Sequence, residues 1–112
     1  MGLFTKKSNR TNSEQKDDAL RPITLRMPAS ASMKTILPVL EKYEFDILTP
    51  REEFHEIYCK KGGYEFTLSF IEDFGKTHLT ILIYNERHAF KLKKNLRDLM
   101  VFLRNNLENC IE

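Results

Sequence analysis

Apolar and polar residues alternate in five short stretches of the chain, and apolar residues recur at helical spacing in two longer ones. The first stretch, residues 23–27, sets Ile23, Leu25 and Met27 against Thr24 and Arg26, the period of a half-buried strand. Met33, Ile36, Leu37 and Leu40 then follow a helical repeat, which predicts a helix over 31–43 with Ser30 or Ser32 as its cap, kinked by Pro38 or delayed in its start by it. Residues 45–48 read as a short strand stopped by Thr49-Pro50. Residues 53–61 place Phe54, Glu56 and Tyr58 on one face and His55, Ile57 and Cys59 on the other. Their aromatic and β-branched content favours a strand.

The clearest alternation lies at Tyr64, Phe66, Leu68 and Phe70, and another at Leu79, Ile81 and Ile83 with Leu82 and Tyr84 opposite. Apolar residues on both faces of 77–85 predict a central strand, or an edge covered in a dimer. Between the two earlier strands stands CKKGGYEF, which raises the question of a phosphate-cradling loop. Such loops need spaced glycines followed by a helix. Here a strand follows, so Gly62-Gly63 reads as a two-residue hairpin turn, with Lys60 and Lys61 beside it as solubilising residues. A second turn is expected over 72–76 around Gly75. From 86 to 111, Leu92, Leu96, Leu99, Leu103 and Leu107 form one apolar stripe of a long helix, with Asn85 as its cap.

The order β-α-β-β-β-β-α predicts an α+β two-layer sandwich: an antiparallel sheet of about four to five strands with both helices, including the long C-terminal one, packed on one face. Residues 5–22 contain only Ala19 and Leu20 as apolar residues, so 1–22 reads as a disordered polar tail and 23–112 as a single α+β domain.

Composition narrows the class without naming a function. The chain has 112 residues, 41% hydrophobic and 30% charged, which suits one folded domain. The formal charge of +2 hides a surplus of positive charge at both ends and of negative charge in the middle. That is far from the footprint of a dedicated nucleic-acid binder. An RNA or DNA contact through Lys60, Lys61, Lys91, Lys94 and Arg97 is therefore not favoured. No apolar run reaches the roughly 18 residues of a spanning helix. With no export signal at the start and two cysteines, Cys59 and Cys110, the expected setting is cytoplasmic with reduced thiols. Leu3 and Phe4 ahead of Lys6 and Lys7 would give at most a weak membrane-surface contact.

Candidate chemistry is sparse. His55, His78 and His88 belong to no metal-ligand motif, and His55 and Cys59, four residues apart on one strand, are separated by roughly 13 Å. Neither metal nor cofactor is expected. Cys59 and His78 would form a nucleophile–base pair only if the fold brought them together, and a buried thiol is the plainer reading. The acidic pairs Glu52-Glu53 and Glu72-Asp73 flank turns, where charge is expected. No enzyme is predicted.

Two surfaces remain. Phe90, Lys94, Arg97, Val101 and Arg104 form a mixed basic and apolar stripe opposite the leucines, a candidate partner-binding face. Tyr58, Leu82, Tyr84, Phe90 and Val101 exceed what one small core absorbs, which points to a self-associating interaction module using that stripe or an open sheet face. The alternative is a small-ligand protein with an apolar cavity between sheet and helix lined by Phe66, Phe70, Ile81 and Tyr84.

Overall fold

The computed structural model describes residues 8–11, 17–48, 52–85 and 91–112. Its strands are β1 (Ser8–Arg10), β2 (Ile23–Leu25), β3 (Asp46–Ile47), β4 (Glu56–Lys61), β5 (Tyr64–Asp73) and β6 (Lys76–Tyr84), and its helices are α1 (Ala29–Lys42) and α2 (Leu92–Asn106). All strand pairings are antiparallel, in the order β1-β6-β5-β4-β3. β2 shares the outer edge of β6 with β1, so the six strands fill five positions across the sheet. This is the predicted α+β sandwich: Ile57, Cys59, Phe66, Leu68, Phe70, Leu79, Ile81 and Ile83 all point to one face, and α1 and α2 cover it.

The five leucines of the C-terminal stripe are all buried in that core, joined by Met100. The helix is shorter than its apolar period suggested. α2 ends at Asn106, and residues 110–112 turn back to extend the sheet beyond β2. The Arg26 N–H donates to the Cys110 carbonyl and the Glu112 N–H to the Thr24 carbonyl, both at 2.9 Å. That pairing covers an edge otherwise open to aggregation. Asn85 is not the helix cap. It is buried, and its Nδ2 donates to the Gly63 carbonyl at 2.9 Å, tying the end of β6 to the first hairpin turn.

α1 starts two residues earlier than its pattern implied. The Ala29 N–H donates to Glu72 Oε1 at 2.8 Å, so a carboxylate from β5 supplies the cap that no local side chain does. The helix runs through Pro38 without ending. Pro38 is exposed, so the carbonyl it deprives of a donor lies on the side where solvent reaches it. β4 likewise begins at Glu56 and not at 53, because residues 52–54 form a 3-10 turn and His55 takes a positive φ of 52°.

Parts of the stretch expected to be a disordered tail lie on the domain. β1 pairs with residues 82–84 of β6. Beside it, the Thr11 N–H donates to the Ile81 carbonyl and the Ile81 N–H to Thr11 Oγ1, both at 2.9 Å. Residues 18–20 form a 3-10 turn capped by Asp17, and Leu20 is 0% exposed. At the end of the sheet where β4 turns into β5, Tyr43 stacks at a tilt on Phe45 and Phe102, with ring centroids 5.2 and 4.5 Å away. Lys61 lies 4.3 Å from the Tyr43 ring centroid.

Candidate functional site

The two-residue turn at Gly62-Gly63 sets the register of the face that the helices leave uncovered. Both glycines have positive φ, 59° and 83°, as a primed hairpin turn requires. The hairpin reading of this stretch is therefore correct. The turn sets Lys61 opposite Tyr64 and so Tyr58 opposite Thr67. The β5–β6 hairpin continues the rows. Tyr58, Thr67 and Leu82 form one row across three strands, Glu56, Ser69 and Thr80 a second, and Ile71, His78 and Thr24 a third reaching β2. A slip of one residue at either turn would exchange these rows with the core rows.

This open face mixes half-buried apolar groups with hydroxyls. Tyr58 and Leu82 are half-buried beside Thr67, and Ile71 and Tyr84 are exposed. Two shallow hollows meet at Thr80. One, of about 310 Å³, is lined by Glu56, Thr67, Ser69, Ile71 and Leu82 among others, and the second, of about 370 Å³, by Arg21, Pro22, Thr24 and His78. Glu56 accepts from the Tyr58 hydroxyl at 2.7 Å and from Ser69 Oγ at 3.5 Å, which fixes the tyrosine ring along the strand. Lys60 and Glu65 pair at 3.5 Å at one margin, while the Glu56 carboxylate lies within the face beside Tyr58 and Ser69. Aromatic and aliphatic groups interleaved with hydroxyls and one carboxylate give the face the mixed apolar and polar composition of a non-obligate protein interface.

Thr24 Oγ1 lies 3.0 Å from His78 Nδ1, and His78 Nε2 lies 3.8 Å from Asp73 Oδ2. Hydroxyl, imidazole and carboxylate thus stand in line, but the second step is outside hydrogen-bond range. In this geometry the contacts orient His78 on the face. Cys59 and His78 are not brought together: Cys59 points into the core and His78 to the open face. Burial pushes the Cys59 thiol up to about 12, so it holds its proton at neutral pH and is a poor nucleophile. Among the described residues, no group of three or more His, Cys, Asp or Glu could hold a metal ion.

The basic stripe of α2 is engaged within the chain itself. Arg104 donates to the carbonyls of Ala19 at 2.8 Å and Arg21 at 2.7 Å. Arg97 pairs with Asp17 at 3.0 Å, and Lys94 with Asp98 on its own helix at 2.9 Å. The Asp17 carboxyl is held below its usual range, first by the Ala19 N–H it accepts and then by Arg97. Val101 remains exposed, while Phe90, Leu3 and Phe4 lie outside the described residues. Sequence periodicity located the stripe, but its neighbour, the polar segment 17–21, shows no pattern that would have matched it.

The four residues assigned to a ligand cavity do not share one. Phe66, Phe70 and Ile81 are packed in the core, with Phe66 edge-on to Phe45 at 5.0 Å, and Tyr84 is on the opposite face of the sheet. Lys60 pairs with Glu65, and Lys61 donates to the Tyr43 carbonyl, so neither lysine of the hairpin is arranged around an anion.

No family model matches the chain, and no curated protein is significantly similar to it in sequence. Among the described residues no helix is long and apolar enough to cross a membrane.

Proposed function

We propose that this chain is a non-catalytic interaction module that binds a protein partner through the open face of its sheet. The observation that carries this reading is the row Tyr58–Thr67–Leu82, with Tyr84 next to it on one side and the row Glu56–Ser69–Thr80 on the other, on a face opposite to both α1 and α2. Tyr58 is the residue type that anchors protein interfaces, and the hydroxyls around it supply adaptable hydrogen bonds at little side-chain entropy cost. The α2 stripe is the weaker surface, because Arg97 and Arg104 already serve the chain's own segment 17–21.

Replacing Leu82 by Arg places a charge in the centre of the patch and leaves the core row untouched. Partner binding, measured by calorimetry, is expected to be lost at unchanged melting temperature. Charge reversal of Lys94 is expected to leave binding intact, and the opposite pair of results would move the interface to α2.

A further inference from the structure

Of the six large apolar side chains exposed among the described residues, the three most exposed lie at one end of the sheet, while Leu48, Tyr84 and Val101 lie elsewhere. Phe54 is 62% exposed, Ile71 57% and Phe74 98%, and all three belong to the end where β5 turns into β6. Phe74 is the extreme case. It fills the first position of the two-residue turn Phe74-Gly75, with φ values of 51° and 79°. Glycine or asparagine would take that conformation with little or no strain, whereas an aromatic residue does not. The other two-residue turn of the same sheet uses glycine at both positions. This strained phenyl ring at a hairpin tip is 98% exposed and packs in no core, and strain kept at such a position points to a use outside the fold of its own chain.

The helix layer at the same end holds a hollow of matching size. It measures about 140 Å³ and is lined by Ser30, Met33, Lys34 and Leu37 of α1 and by Glu52. Met33 is buried and forms the floor, Leu37 is half-buried, and the other three are exposed at the rim. The hollow's apolar wall is Met33 and Leu37, and its volume is close to the roughly 150 Å³ in which an apolar cavity takes benzene, the ring that Phe74 carries. Charge matches at one position: Asp73 beside the knob is opposite in sign to Lys34 at the rim of the hollow. Lys76 holds Glu112. The Glu72–Ala29 cap joins the start of α1 to the same hairpin, so knob and hollow are fixed relative to each other at one end of the molecule.

We infer that a second copy of this chain docks at this end about a two-fold axis, with Phe74 of each copy seated in the α1 hollow of the other. A two-fold contact is self-complementary, which is why knob and hollow belong on the same end of one chain. This contact is independent of the open-face reading, and either can fail while the other stands.

Sedimentation equilibrium of the full chain, from low micromolar to several hundred micromolar, tests it with three variants. The parent chain is expected to dimerise. Phe74→Gly removes the ring and the backbone strain together, so it is expected to fold at least as stably while weakening dimerisation at least about 100-fold, since each dimer loses two anchors. Leu37→Glu is expected to weaken it similarly, and mixing it with Phe74→Gly to restore part of the association through the one intact knob and hollow. Leu82→Arg is expected to leave the dimer unchanged. A parent chain that stays monomeric throughout, or a Phe74→Gly variant that dimerises like the parent, overturns the inference. A dimer lost in Leu82→Arg and kept in Phe74→Gly also overturns it, and places self-association on the open face.

Discussion

Cys59–Phe66–Ile83 and Tyr58–Thr67–Leu82 are neighbouring rows across the same three strands, offset by one residue. The first is buried in every member, while the second stays half-buried on the face opposite to α1 and α2. The covered core and the proposed binding surface therefore alternate along the same strands with a period of two. The covered row tolerates no polar atom without a partner, whereas the open row carries hydroxyls beside a leucine that solvent still reaches. Tyr58 and Leu82 add nothing to the core, and this is why they are read as interface and not as packing.

The contrast predicts a graded set of responses. The largest belongs to the covered face: Leu68, 0% exposed at the centre of the sheet, should cost about 2–5 kcal/mol when replaced by Ala, read from chemical denaturation. A change below the lower figure would mean that the sheet–helix layer is loosely packed. Next comes Arg104→Leu, which keeps the packing stem but leaves the Ala19 and Arg21 carbonyls without their donor. About 1–3 kcal/mol is expected, with amide exchange rising first in residues 17–21. On the open face, Leu82→Arg should move stability by no more than about 0.5 kcal/mol.

The smallest effect is a pH dependence. Asp17 titrates below its ordinary 3.8 in the folded chain, so its contribution is fully present above that value and fades as pH falls through the lower folded one. Exchange of the Ala19 amide should accelerate over that acid range while the amides of β5 stay protected. Equal acceleration in both would show that segment 17–21 does not open separately from the sheet.

Much of the covered face was legible in the chain. Phe66, Leu68 and Phe70, and the leucines of α2, announce their burial by period alone, and Gly62-Gly63 marks its own turn. The open face was half legible: alternation sets Leu82 and Tyr84 opposite Ile81 and Ile83, and a cavity joining Tyr84 to Ile81 broke that rule. What stayed hidden depends on backbone groups and on distant partners. Ser8–Arg10 has no apolar residue to signal a strand, and its neighbour Thr11 is held through a hydroxyl and a carbonyl of β6. Leu20 is a single leucine in a polar run, and its burial follows from Arg104 reaching carbonyls more than eighty positions away in sequence. Glu72 looked like turn decoration, yet it caps α1 from another element.

Site-specific photo-crosslinking tests the central claim most directly. A photoreactive phenylalanine at position 67, in the middle of the open row, is compared with one at position 41 on the exposed side of α1. If the open face is the binding surface, position 67 captures a discrete partner, which vanishes when Leu82→Arg is added, and position 41 captures none. Capture from position 41 alone, or from position 67 regardless of Leu82→Arg, would contradict the account.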